Sequence, residues 1–243
     1  MDPTRPHGLV TCQLLAVRHG QASFGSGNYD QLSALGVRQS ACLGAWWASR
    51  SIRLDALWCG PLKRQIDTAR HLVEVAAGLG CRLPPPTIVE EFRELAMDPL
   101  MQQVLPQLEP MHDPEPGPVT AGHRRAPGLA APSKIVVARV LDAWANGRVD
   151  VGSEESFEHF EARIRNGLAR VAASGGQVAV VTSAGPIAMT TRRALGLDGS
   201  QAMRLGFSIG NSAISEFRFS PDGMSLHSFN SLGHLNQDEI TYI

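Results

Sequence analysis

Cysteine is scarce in this chain of 243 residues. Cys12, Cys42, Cys59 and Cys81 contain no Cys-x-x-Cys pair and fall in or beside stretches that read as core, so reduced thiols are expected rather than a disulfide framework. Net charge is scarce too. At -1 it supplies no broad field for nucleic acid or an anionic membrane surface, and any positive site must be local. No apolar run approaches the roughly 20 residues of a membrane span. The stretch before Leu14 carries Asp2, Arg5 and prolines where a signal peptide would have its apolar core, so a cytoplasmic protein is expected. No internal repeat is visible, no ligand cluster points to a metal, and no cofactor is implied.

What is present is an alternation of short apolar runs with helical stripes. Gln13 to Val17 reads as a buried strand that empties into a charged, Gly-containing turn. From Ser33, a plausible N-cap, the segment through Ser49 places Leu35, Cys42, Leu43, Trp46 and Trp47 on one broad stripe. Ala56 to Cys59 reads as a second strand and Lys63 to Ala77 as the helix behind it, with Ile66, Ala69, Leu72, Val73 and Ala76 inward. Thr87 to Val89 and Gln177 to Thr182 repeat the pattern, the latter before a helix starting near Pro186. Ile214 to Phe219 and Met224 to Phe229 flank Pro221-Asp222-Gly223 as a hairpin would. The expected fold is α/β, a mainly parallel sheet flanked by helices on both faces, with ligands at the carboxyl ends of its strands.

The span from Pro84 to Pro132 holds 11 of the chain's 16 prolines, so a long regular element is not expected there. It reads as an insertion: a short helix near Leu100 to Leu105, a Pro/Gly loop, then a helix from Ser133 to Ala145. A substrate lid and a tolerated loop are both open readings. One domain over residues 1–243, with an insertion at about 95–150, is expected.

Arg18-His19-Gly20 follows the first strand directly. A neutral imidazole is a competent nucleophile toward phosphorus, and the planar fork of an arginine suits the charge spread over phosphoryl oxygens. Read alone, the tripeptide could equally be an ion-paired arginine beside a hydrogen-bonded histidine. Arg64 stands where the second strand passes into its helix, whose N-terminus would add backbone donors for an anion; lone arginines at helix starts are usually solvated.

Arg18-His19-Gly20-Gln21, the Leu62-x-Arg64-x-x-x-Thr68-Ala69 segment, the helix start from Leu32 to Gln39 and Glu155-Ser156-Phe157 together resemble the histidine phosphatase superfamily, the phosphoglycerate mutase-like family, from Leu14 to about Ile187. The resemblance implies a His19 nucleophile clamped with its phosphoryl group by Arg18 and Arg64, and an acid after the third strand. Glu91 matches that acid best and Glu90 is in reserve, against a reading in which Glu90, Glu91 and Glu94 form a solvated acidic helix start. It also implies a phosphate site of Arg18, Gly20, Ser23, Arg64 and Ser183, with Asn28 a further contact. The substrate would be a small-molecule phosphate ester, with inorganic phosphate as product; association into a homo-oligomer stays open.

One departure is prominent. Members of the family usually carry Ser-His-Gly-Gly after the fourth strand, whereas this chain reads Thr182-Ser183-Ala184-Gly185-Pro186, with Ser183 at the histidine position. A hydroxyl donates one neutral hydrogen bond and supplies no imidazolium charge. Activity is therefore expected to be weak, or the pocket to serve binding alone, unless His227, His234 or His159 fills the gap. A hydrolase elbow at Ser183 is disfavoured because Val181 stands where such a turn needs glycine. Phosphatase is favoured over mutase, since the Pro-rich insertion does not resemble a mutase lid.

Overall fold

The computed structural model describes residues 10–23, 30–109 and 133–242. β1 (Cys12–Arg18) is apolar on both faces because it lies inside the sheet, between β4 (Gly176–Thr182) and β5 (Ile214–Ser220). With β2 (Ala56–Cys59), β3 (Pro86–Ile88) and β6 (Gly223–Ser231), the strand order is β3-β2-β4-β1-β5-β6. β3, β2, β4 and β1 run parallel; β5 is antiparallel to both β1 and β6. The register sets Arg18 opposite Thr182, so the chains leaving β1 and β4 emerge side by side.

The helices are α1 (Ala34–Ser49), α2 (Lys63–Gly78), α3 (Met97–Val104), α4 (Lys134–Ala145), α5 (Phe157–Ser174), α6 (Ala184–Leu195) and α7 (Gly199–Gly206). Ser33, Ser133, Ser156 and Asp198 cap α1, α4, α5 and α7 with side-chain oxygens. α5 and α7 have no counterpart in the sequence reading. α6 begins at Ala184, immediately after Ser183, rather than near Pro186.

Two apolar layers sandwich the sheet. One sets Leu43, Trp47, Ala69 and Leu72 of α1 and α2 against Leu15, Val17, Leu57, Ala179 and Val181. The other gathers Phe160, Ile164 and Leu168 of α5 and Ile187 of α6 against Leu14, Val178 and Phe217. Leu100, Met101 and Val104 of α3 and Val140, Leu141 and Trp144 of α4 belong to this second layer, so the described flanks of the Pro-rich span are core. The remainder of that span, 110–132, lies outside the described residues, and the lid reading lies there with it.

On α1 and α2 the buried faces extend beyond the apolar stripes. α1 buries Gly36, Gln39, Ser40 and Gly44 along with Leu43 and Trp47, and α2 buries Arg64, Gln65 and Thr68 at its first turns. The small residues allow close approach, Gly36 to the Gln21 backbone and Gly44 to the Leu72 backbone of α2. Among the described residues no helix is long and apolar enough to cross a membrane.

Candidate active site

His19 follows the end of β1 and is held by backbone: its N–H donates to the Thr182 carbonyl (2.8 Å). From below, the Ser212 N–H donates to the carbonyls of Arg18 (3.1 Å) and His19 (3.2 Å), and Asn211 Nδ2 donates to His19 O (3.3 Å). Ser212 adopts a left-handed backbone (φ 64°) to aim that N–H.

The imidazole is buried, 3% exposed. Nδ1 lies 2.7 Å from the Gly20 carbonyl, which can only accept, so Nδ1 carries the proton. Nε2 is then the unprotonated nitrogen, and it accepts from Arg64 Nε at 3.2 Å. Burial pushes the His19 pKa well below 6.5, and the charges of Arg18 and Arg64 push the same way, against the opposing bond to Gly20. The result is a neutral imidazole whose lone pair faces a guanidinium.

Arg18 and Arg64 are both buried. Arg18 Nη1 donates to the carbonyl of Ile209. Arg64 Nη1 donates to Asp30 Oδ1 (2.8 Å), and the Asp30 carboxylate also takes the N–H groups of Lys63 (2.9 Å) and Arg64 (3.4 Å). Asp30 thus caps α2 from a distant loop while holding one arm of Arg64. The sequence reading passed over Asp30; a carboxylate distant in sequence leaves no local signature of a cap.

Ser183 is fully buried, and its Oγ accepts from Gln65 Nε2 (2.8 Å). Because His19 N–H is bonded to Thr182 O, Ser183 stands beside His19 at the same strand ends. Among the described residues no histidine replaces it. His227 bonds Arg218 on the outer hairpin, His159 lies exposed on α5, and His234 pairs with Ser212 Oγ (2.6 Å) behind the His19 loop.

Glu91 turns away: both carboxylate oxygens accept from Arg170 of α5 (2.8 and 2.9 Å), a pairing that draws its pKa down, against desolvation. Glu90 is exposed. The carboxylate that reaches the strand ends is Glu94, whose Oε2 accepts the Gly185 N–H (3.0 Å) at the first turn of α6, two residues after Ser183. A tight turn over Glu90–Phe92 separates these acids, a distinction the sequence run cannot show. Gly20 makes a close approach to α1. Its N–H donates to Thr68 Oγ1 (3.0 Å), and an added Cβ would lie 2.4 Å from the Gly36 carbonyl. Ser23 donates its N–H to Gln31 O (2.7 Å) at the base of its loop, while Asn28 lies outside the described residues.

Chemically, the cluster offers an unprotonated nitrogen, two guanidiniums, a hydroxyl and a carboxylate near the ends of β1 and β4, a set matched to an anion that undergoes displacement at its central atom. The model of the histidine phosphatase superfamily (branch 1) matches residues 14–146 and 136–232. Comparison with curated protein sequences gives no match. Among solved structures, the chain is similar to a phosphoglycerate mutase from Bacillus anthracis, with TM-score 0.63 and 15% identity over 93% of this chain and 95% of that one. It is similar to a mycobacterial glucosyl-3-phosphoglycerate phosphatase complexed with VO3, with TM-score 0.60 and 22% identity over 90% and 99%. The alpha-ribazole phosphatase from Shigella flexneri matches with TM-score 0.56 and 18% identity over 90% and 96%.

Proposed function

The chain belongs to the histidine phosphatase superfamily, and from that premise we propose that it hydrolyses a small phosphate monoester through a phosphohistidine formed at Nε2 of His19. The observation that carries the proposal is the imidazole's locked tautomer, with Nδ1–H on Gly20 O and the Nε2 lone pair turned to Arg64.

In the first half-reaction the incoming phosphoryl group displaces the Arg64 Nε contact and is held by Arg18 and Arg64, with the Ser183 hydroxyl as a neutral donor. The Nε2 lone pair attacks phosphorus as the ester P–O bond breaks, and Glu94 gives its proton to the departing oxygen, which leaves as an alcohol. In the second half-reaction Glu94, now a carboxylate, removes a proton from water; the hydroxide attacks phosphorus, the P–N bond breaks, and inorganic phosphate departs.

Glu94, rather than Glu91, takes the acid role because Arg170 keeps the Glu91 carboxylate on α5. Ser183 favours a second reading, a pocket that binds phosphate esters without turning them over, since one preorganised donor is typically worth about 10²- to 10³-fold in rate.

Rapid neutral quench and mass spectrometry after exposure to a panel of alkyl and aryl phosphates separates the two. Phosphate on the His19 peptide, absent in His19→Ala, is the expected result. Ester binding without a labelled His19 or released phosphate would establish the binding-only reading.

A further inference from the structure

Gln65 is fully buried in the first turn of α2, at the foot of the pocket. Its Oε1 accepts the Leu62 N–H (3.1 Å), while Nε2 faces the Phe92 carbonyl (3.4 Å) and Ser183 Oγ (2.8 Å). Leu62 N can only donate and Phe92 O can only accept, so the amide cannot be flipped. Ser183 Oγ must therefore accept from Gln65, and the hydroxyl proton points elsewhere. Among the described residues no other hydrogen bond of this hydroxyl exists, so the proton is available to a ligand at the strand ends.

The carboxamide also takes up space. A larger side chain at position 183 would have to share its space with the Gln65 amide, whose Nε2 lies 2.8 Å from Oγ. Gly60 shows how closely this volume is filled: a Cβ there would lie 2.2 Å from Gln65 Oε1.

We propose that Gln65 is a positioning residue for phosphoryl transfer. It turns the Ser183 hydroxyl proton toward the phosphoryl oxygens, and its carboxamide fills the space that a histidine at position 183 would need. Gln65 and Ser183 thus form a matched neutral pair in place of a charged donor. The first half of this inference rests on the phosphatase reading; the second rests on packing alone.

The test uses the purified full chain with an aryl phosphate as substrate and orthovanadate and inorganic phosphate as inhibitors. Gln65→Leu should lower kcat/KM by about 10- to 100-fold and weaken vanadate more than phosphate, because the donor matters most where charge develops. In a Ser183→Ala background the same substitution should cost less than about twofold, since its target is gone. An equal loss in both backgrounds means that Gln65 is merely structural and overturns the orienting role.

The exchange arm is read by thermal unfolding. Ser183→His alone should lower Tm, and Gln65→Ala/Ser183→His should restore it, with activity that now falls above about pH 7 as the new imidazolium loses its proton. A single Ser183→His variant as stable as the double overturns the space-filling claim. If the wild-type chain neither turns over ester nor labels His19, the phosphatase reading fails, and the Tm comparison still decides the packing claim.

Discussion

At the scale of single residues, charge and protons are set by neighbours. His19 is held neutral by burial and by Arg18 and Arg64, so acidification through pH 6.5 does not protonate its imidazole. The acid limb of kcat/KM is accordingly expected below 6.5; a limb at or above that value, assigned to His19 by its chemical shift, contradicts the account. On the proposed mechanism, Glu94→Gln removes the proton needed by a poor leaving group. Its kcat/KM for alkyl phosphates should fall by about 10²- to 10⁴-fold, while p-nitrophenyl phosphate, whose leaving group departs as an anion, should lose far less. Equal losses on both substrates would remove Glu94 from the acid role. Arg18, His19 and Arg64 were legible in the sequence because each sits beside a strand end or helix start defined by local pattern. Glu94 was not, because Glu90, Glu91 and Glu94 look alike until the turn at Glu90–Phe92 sends each to a different neighbour.

At the scale of elements, the pocket depends on how closely α1 approaches the loop after β1. A Cβ on Gly36 would lie 2.1 Å from the Gln21 carbonyl and 2.9 Å from its nitrogen. Backbone cannot step aside as a flexible side chain can. Gly36→Ala is therefore expected to cost about 2–3 kcal/mol and to displace the Arg18–Gln21 segment, lowering Tm and activity together. Gly78, at the end of α2, has nothing within 4 Å of an added Cβ and no positive φ, so Gly78→Ala should be neutral or stabilise by about 0.5–1 kcal/mol. Thermal melts of the two variants check both signs. Apolar periodicity locates α1 and α2 and most of their inward faces: Leu43, Trp47, Ala69, Leu72 and Ala76 are buried, and Trp46, Ile66 and Val73 pack against the same core. It does not reveal Gly36, Gln39, Arg64 and Gln65, which the helices also bury at this end. Periodicity counts burial by polarity, and a functional end buries polar groups that have partners.

At the scale of the whole molecule, the two ends of the described chain brace each other at the site. Asn211, which bonds the His19 carbonyl, receives Thr241 Oγ1 on its own side-chain oxygen (3.0 Å) and donates its N–H to Thr241 O (2.8 Å). Gln39 of α1 reaches the same Thr241 hydroxyl (2.9 Å). His234 lies in this brace, and among the described residues its buried Nδ1 has no hydrogen-bond partner; burial pushes its pKa down to about 4. The unfolded chain takes up this proton near pH 6.5 and the folded chain only near 4, so stability is full above 6.5 and declines as pH falls through that window. The loss at pH 4 is expected to be roughly 3 kcal/mol from His234, with His19 acting in the same direction. Urea midpoints at pH 7, 5 and 4 should fall accordingly, and less steeply in His234→Asn; parallel curves would show that His234 does not carry the effect.

What the sequence by itself determined is the local part: the βα alternation, the strand-end Arg18-His19-Gly20 and the helix-start Arg64, because strand and helix periods and their boundaries are written in adjacent residues. The tertiary structure alone decided which carboxylate reaches the crevice, what holds Arg64, and how Ser183 is answered by Gln65. Asp30 and Arg64 are 34 residues apart and Gln65 and Ser183 are 118 apart. Pairings at such separations follow from strand order and helix packing, which no local pattern specifies.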